Sequence, residues 1–296
     1  METTGNTKSH FSPDQKRRLL GEKAAVFLFG GTLFLAVYLG ITGTSLFCNS
    51  RQQSGLSSQV QAFSTEGSYS AETMLQLNAA IVHYATYPQV PLLSRDEIQV
   101  AVDVLKAKSP CNFLIFGLGH DSLMWASLNP GGTTLFLEEE PKWVDKILKD
   151  APHLRAHVIK YRTKVSEADD LLKEYPTQPE CSAQKAFLRG NERCKLALNM
   201  LQEEVYNQDW DLILIDGPIG FFPEAPGRMS AIYSAAVMAR NRKGSGATHV
   251  FVHNVDRKEE KTYTETFLCN KNRVKIVGKL GHFEIPPAAD SNPHFC

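Results

Sequence analysis

The stretch CNFLIFGLGHDSLMWASLNPGGTTLFLEEE, residues 111–140, decides the fold. NFLIF (112–116) is a short apolar run, as a strand covered on both sheet faces must be, and it stops at Gly117. GLGHDS follows as a loop. LMWASL reads as a helix, which Asn129-Pro130-Gly131-Gly132 breaks. TTLFL (133–137) is a second strand, closed by Glu138-Glu139-Glu140. A strand, a crossover helix and a second strand in this order make a parallel unit.

Toward the C-terminus the alternation continues. PKWVDKILKD carries Pro in its first turn and predicts the second helix; AHVIKY (156–161) is a third strand and SEADDLLKEY a third helix. DLILI (211–215) ends at Asp216, and the loop GPIGFFPEAPG leads into a helix through MSAIYSAAVMAR. THVFV (248–252) ends at His253, EEKTYTETFL is helical, and VKIVGKL with GHFEIP form a terminal antiparallel pair. The predicted class is α/β, Rossmann-like, with a mostly parallel sheet. Residues 176–208 interrupt the alternation as an insertion with helical pieces. They hold Cys181 and Cys194, which an oxidising compartment would allow to pair, although one sequence leaves the connectivity open.

Toward the N-terminus, SRDE (94–97) is a capping box, and Ile98, Ala101, Val102 and Leu105 follow helical spacing. Residues 51 to about 90 are rich in Ser and Gln and read as a stem. Ala24–Thr42 is apolar on every side and long enough to span a bilayer. An all-round apolar run beside a basic flank argues against a buried core helix, and ITGTSLFC lacks the A-x-A pattern of a cleaved signal peptide. Lys8, Lys16, Arg17, Arg18 and Lys23 precede the run, so the basic tail stays cytoplasmic and the remainder is lumenal. The expected divisions are a tail (1–23), an anchor (24–44), a stem (45–90) and a lumenal domain (91–296).

Composition narrows the function. Lys and Arg (32) balance Asp and Glu (32), so no global field draws the chain to nucleic acid, and an anion must be held by a local cation. The six cysteines form no CxxC pair, against a zinc or thioredoxin-type site. In a doubly wound sheet the ligand sits beyond the carboxyl ends of the strands. Those ends hold Gly117, Gly119, His120, Asp121, Glu138, Asp216 and His253. Glycines let the backbone approach a cofactor, and an acid at the end of the second strand can accept from ribose hydroxyls; Glu138 lies 21 residues after Gly117. The loop lacks the third glycine of a pyrophosphate-binding turn, which suits a cofactor without phosphates. Trp125 and Trp143 sit at helical core spacing and read as packing.

These motifs carry a resemblance. The 111–140 stretch, DLILIDGPIGFFPEAPGRMSAIYSAAVMARNRK and THVFVHNVDR resemble the plant glucuronoxylan and arabinogalactan 4-O-methyltransferase family, from about Ser94 to Pro287. YRTK, FLRGNERCKLAL and the PPAAD…FC tail look closest to the arabinogalactan-directed branch. The resemblance implies an S-adenosylmethionine methyltransferase fold behind one transmembrane helix. It also implies a Golgi type II membrane protein that methylates O4 of glucuronic acid on a polysaccharide or proteoglycan glycan. Two positions depart from the family pattern. Gly217 stands where Ala is usual, and His253-Asn254-Val255-Asp256-Arg257 exchanges the acid and amide of the usual His-Asp-Val-Asn-Arg, so a role for that Asp does not carry over.

Such a reaction needs alignment and a proton acceptor, for which Asp216 and His253 are the candidates. Gly117, Gly119, His120, Asp121 and Glu138 are the expected cofactor residues. A uronate carboxylate calls for a planar cation, which makes Arg228 and then Arg240 the expected acceptor anchors, with Phe221 available to stack on the sugar. Asp216, Asn254 and Asp256 together could hold a divalent metal such as Mg or Mn. The rival readings are a non-catalytic xylan-biosynthesis protein of the irregular-xylem type and a nucleotide-sugar oxidoreductase. The second is disfavoured by the absent third glycine and the absent Tyr-x-x-x-Lys pair.

Overall fold

The structure, a computed structural model, describes residues 70–86, 92–288 and 294–296. The expected cytoplasmic tail, the apolar run and most of the stem lie outside the described residues. Among the described residues no helix is long and apolar enough to cross a membrane.

Seven strands form one sheet: β1 (Asn112–Phe116), β2 (Thr133–Glu138), β3 (Arg155–Val158), β4 (Leu212–Ile215), β5 (Thr248–Val252), β6 (Arg273–Val277) and β7 (Leu280–Ile285). Their order is β3-β2-β1-β4-β5-β7-β6. The first five run parallel, and β7 lies antiparallel between β5 and β6. The winding reverses between β1 and β4, which opens a crevice at their carboxyl ends. This is the Rossmann-like arrangement with a terminal hairpin that the alternation predicts.

Side chains of β1 alternate between two cores. Phe113 and Ile115 pack against one set of helices, and Leu114 and Phe116 face the other. On the first face lie α1 (Ala71–Thr86), α2 (Arg95–Lys108), α3 (Ser122–Ser127) and α4 (Pro141–Asp150); on the second, α5 (Ala168–Glu174), α6 (Glu203–Asn207), α7 (Met229–Arg240) and α8 (Lys258–Tyr263). Burying each large apolar side chain contributes roughly 1.5–3 kcal/mol. Helix α7 carries Ala231, Ala235, Ala236 and Ala239 among its buried residues, so it can lie close to the strands.

The capping box forms as the spacing predicts, and it reaches further. Glu97 Oε2 accepts from Ser94 N at 2.6 Å, while Oε1 accepts from Lys279 N at 2.6 Å in the β6–β7 turn. The start of α2 is thereby tied to the sheet's far hairpin.

Two segments differ from expectation. Helix α1 occupies part of the expected stem and packs on α3, where Tyr84 donates to His120 O at 2.6 Å and accepts from Met124 N at 3.1 Å. Strand β3 is shorter than AHVIKY, because its neighbour β2 ends at Glu138, whose carbonyl takes the last contact from Ile159 N. The insertion holds helical pieces as expected, a 3-10 turn at Pro179–Cys181 and α6, joined by turns. It is pinned by a Cys181–Cys194 disulfide and by Arg162, which donates to the carbonyls of Glu192, Asn191 and Ala197. A second disulfide joins Cys269 to Cys296. Closing loops of these lengths restricts the unfolded chain by about 3 kcal/mol each.

Candidate active site

The loop after β1 begins at Gly117, whose φ of 111° few other residues adopt. A Cβ on Gly117 would stand 3.0 Å from Gly217 N, and one on Gly217 would stand 2.9 Å from Gly117 Cα. The ends of β1 and β4 thus press backbone to backbone. The Gly217 that departs from the family's usual Ala sits at this contact. Side chains from neighbouring elements hold the rest of the loop. Ser122 Oγ accepts from Gly119 N at 2.9 Å, Trp143 donates its indole N–H to Leu118 O, and Tyr84 reaches His120 O. Trp143, which reads as packing in the sequence, therefore shapes the loop as well.

Glu138 is buried at the end of β2. Its Oε2 accepts from Leu118 N at 2.9 Å, and Oε1 accepts from the backbone N–H groups of Glu139 and Glu140 at 3.0 and 3.1 Å. A carboxylate offers about four acceptor sites. These three donors leave room for one hydroxyl. Burial, with the charge of Glu139 beside it, pushes the Glu138 pKa up to about 7, despite the hydrogen bonds that oppose it. Burial also raises Asp121, although Trp125 Nε1 donates to its Oδ2 at 2.8 Å. Burial lowers His120, with Lys146 and His83 adding to the effect, and its ring meets Trp143 edge-on at 5.4 Å.

On the other side of the crevice, Asp216 follows β4 and His253 follows β5. His253 Nδ1 donates to Asp216 Oδ1 at 2.8 Å. Arg228, at the start of α7, is only 6% exposed. Its guanidinium donates to His253 O at 2.6 Å, to Pro218 O at 3.3 Å, to Asp216 O, and to Asp216 Oδ1 at 3.3 Å. Most of its donors are committed to the protein. This corrects the acceptor role expected of Arg228: the side chain clamps the β4 and β5 ends together.

A cleft of about 600 Å³ joins the two sides. Gly117, Gly119, His120, Asp121, Glu138, Asp216, Phe221 and Arg228 line it, with Trp143, Asn254 and Arg257. His253 is buried behind Asp216 and is not among the lining residues. Phe221 stands 72% exposed at the lip, edge-on to Phe222. Arg240 is not brought to the cleft. It ends the 12-residue α7, roughly 16 Å along the axis from Met229, and packs over Phe295. Asn254 takes a left-handed φ of 62°, a conformation that Asn tolerates better than most residues. Asp256 points away to Lys279 Nζ at 3.6 Å, and it is half-exposed. The trio considered for a metal is therefore not assembled, and among the described residues no three His, Cys, Asp or Glu side chains gather as a ligand set.

Residues 96–283 match the family model described as IRX15/IRX15L/GXM. The chain belongs to this family. It is 51% identical over 277 residues to Arabinogalactan O-methyltransferase 1 of Arabidopsis thaliana, across 94% of either chain. Arabinogalactan O-methyltransferase 2 of the same plant is 52% identical over 265 residues, covering 89% of this chain and 88% of that one. Glucuronoxylan 4-O-methyltransferase 1, also from Arabidopsis thaliana, is 48% identical over 228 residues, covering 74% of this family member and 79% of its own length.

If Arg228 is a clamp, its loss must be felt by the fold. Arg228→Met leaves buried carbonyls and Asp216 without their donor and is expected to lower stability by about 3–5 kcal/mol. Urea unfolding of the two proteins checks this; an unchanged midpoint overturns the clamp.

Proposed function

We propose that this chain is an S-adenosylmethionine-dependent O-methyltransferase acting on O4 of glucuronic acid in a cell-wall glycan, arabinogalactan in preference to glucuronoxylan. One observation carries the chemistry: Asp216, gripped from behind by His253 and Arg228, faces the same cleft as the glycine loop and Glu138. The names of the relatives above, and the greater coverage of the arabinogalactan enzymes, support the substrate class.

The cleft residues fit such a cofactor. Gly117 and Gly119 line the cleft without side chains, Glu138 retains acceptor capacity for a ribose hydroxyl, and Leu118, Trp143 and Phe221 offer apolar surface. When bound, S-adenosylmethionine supplies a methyl group already activated on sulfur. The protein's task is then to orient the acceptor oxygen and receive its proton. Asp216 reaches the cleft and His253 does not, so Asp216 is the group that accepts the hydroxyl proton. His253 and Arg228 fix the carboxylate through two separate hydrogen bonds, which limits its freedom before the acceptor arrives.

We further place the domain in the Golgi lumen behind an uncleaved Ala24–Thr42 anchor. The two disulfides support an oxidising compartment, and the basic residues before the run support a cytoplasmic tail. Protease added to intact Golgi vesicles should spare residues beyond 50; a mature N-terminus near residue 48 replaces the anchor with a signal peptide.

Incubation with labelled S-adenosylmethionine and de-methylated arabinogalactan should label the polymer. Asp216→Asn should reduce turnover by about 10²-fold or more while cofactor affinity holds. Label transfer at the wild-type rate removes Asp216 from the reaction.

Glu138 sets a pH dependence. Above about pH 7 its carboxyl is ionised and accepts a further hydroxyl; below, it carries a proton and loses acceptor capacity. Cofactor affinity should therefore strengthen as pH rises through about 7, and Glu138→Gln should flatten the profile. Calorimetry across this range decides it, and an unaltered profile in the variant assigns the dependence elsewhere.

A further inference from the structure

The charges lining the cleft are divided. Asp121, Glu138, Glu139 and Glu140 stand at the ends of β1 and β2, whereas Arg228 and Arg257 stand with the single acid Asp216 beyond β4 and β5. Of the two arginines, Arg257 has more donors to offer. Arg228 is committed to three carbonyls and Asp216. Arg257 is 33% exposed through its side chain, and among the described residues its guanidinium makes no hydrogen bond. Its charged neighbour, Glu260 Oε1, is 3.7 Å away.

The backbone of Arg257 is nonetheless well placed. Its N–H donates to Asn254 O at 2.9 Å, closing a turn that begins at the left-handed Asn254, and the residue caps α8. Glu260 lies behind it, 2% exposed, with Oε2 buried and lacking a hydrogen-bond partner. A buried carboxyl in that state favours a cation held beside it. Gly220 leaves the space for this carboxyl, since a Cβ there would already touch Glu260 Oε1 at 3.4 Å.

We propose that Arg257 binds the carboxylate of the acceptor sugar and that Glu260 positions it, an inference that rests on the sugar-methylating reading of the site. In a hexuronic acid the carboxyl group is on C5, next to the C4 hydroxyl. The group that grips the carboxylate must therefore stand near the group that takes the hydroxyl proton. Arg257 and Asp216 line one cleft, and the charges of both act on Arg228. A guanidinium can meet Glu260 with one edge and present a two-pronged edge to a second carboxylate.

The test uses the full chain, a glucuronate-bearing oligosaccharide, and the same oligosaccharide with its carboxyl reduced to the neutral alcohol. The wild type should prefer the acid. Arg257→Gln should raise the acceptor KM for the acid by about ten- to a hundredfold and abolish that preference, with cofactor affinity retained as evidence of folding. Arg257→Lys should restore only part of it, because a point charge lacks the planar fork. Glu260→Gln should raise KM for the acid more than it alters kcat. An Arg257→Gln enzyme that still prefers the acid overturns the anchor, as does a wild type with no preference. Absence of cofactor binding and of transfer to either acceptor overturns the methyltransferase reading itself, and the anchor with it.

Discussion

Arg228 lies buried where β4 and β5 end, and its guanidinium donates to backbone carbonyls on both sides of that gap. Strand ends at a switch point have no continuing ladder to satisfy them. Here one planar cation supplies the missing donors for Asp216, Pro218 and His253 and also reaches the Asp216 carboxylate. That anchorage holds the Asp216 carboxylate and the starts of the loops that follow β4 and β5. Between the ends of β1 and β4 the Gly117–Gly217 contact has the same effect by exclusion, because no side chain separates the two strand ends.

The two walls of the cleft differ in their electrostatics. Glu138 and Asp121 are acids whose burial raises their pKa, and each is steadied by neutral donors, backbone N–H groups for one and an indole for the other. Across the cleft, Asp216 is paired with a guanidinium and an imidazole. Carboxyl groups of the same chemical type are thus given different surroundings. In the function proposed above, those on the first wall meet hydroxyls of the cofactor and Asp216 takes up the proton.

Fold and site were unequally legible in the chain. Short apolar runs closed by Gly, Glu, Asp or His located the parallel strands, because a strand covered on both faces needs apolar residues throughout and a polar one where it emerges. The same rule brought Gly117, Glu138, Asp216 and His253 to one sheet edge without reference to coordinates. The capping box at Ser94–Glu97 and the alanine-rich α7 were equally plain, since both depend on near neighbours. Helix α1 was hidden by the polar composition around it, and β3 looked too long because pairing depends on where its neighbour ends.

What the sequence by itself determined is the order of elements, the class of sheet and the set of polar residues at its carboxyl edge. Each follows from local periodicity and hydropathy, which act over a few residues. Only the tertiary structure decided how those residues divide their work. Arg228 turned inward because buried carbonyls from two strands compete for its donors. Arg240 was carried away by the length of α7, and His253 came to stand behind Asp216 rather than beside it. Cys181 met Cys194 through the folding of an irregular insertion. A side chain's donors go to whichever acceptors the packed fold brings within reach, and that is a long-range property that residue type and spacing do not encode.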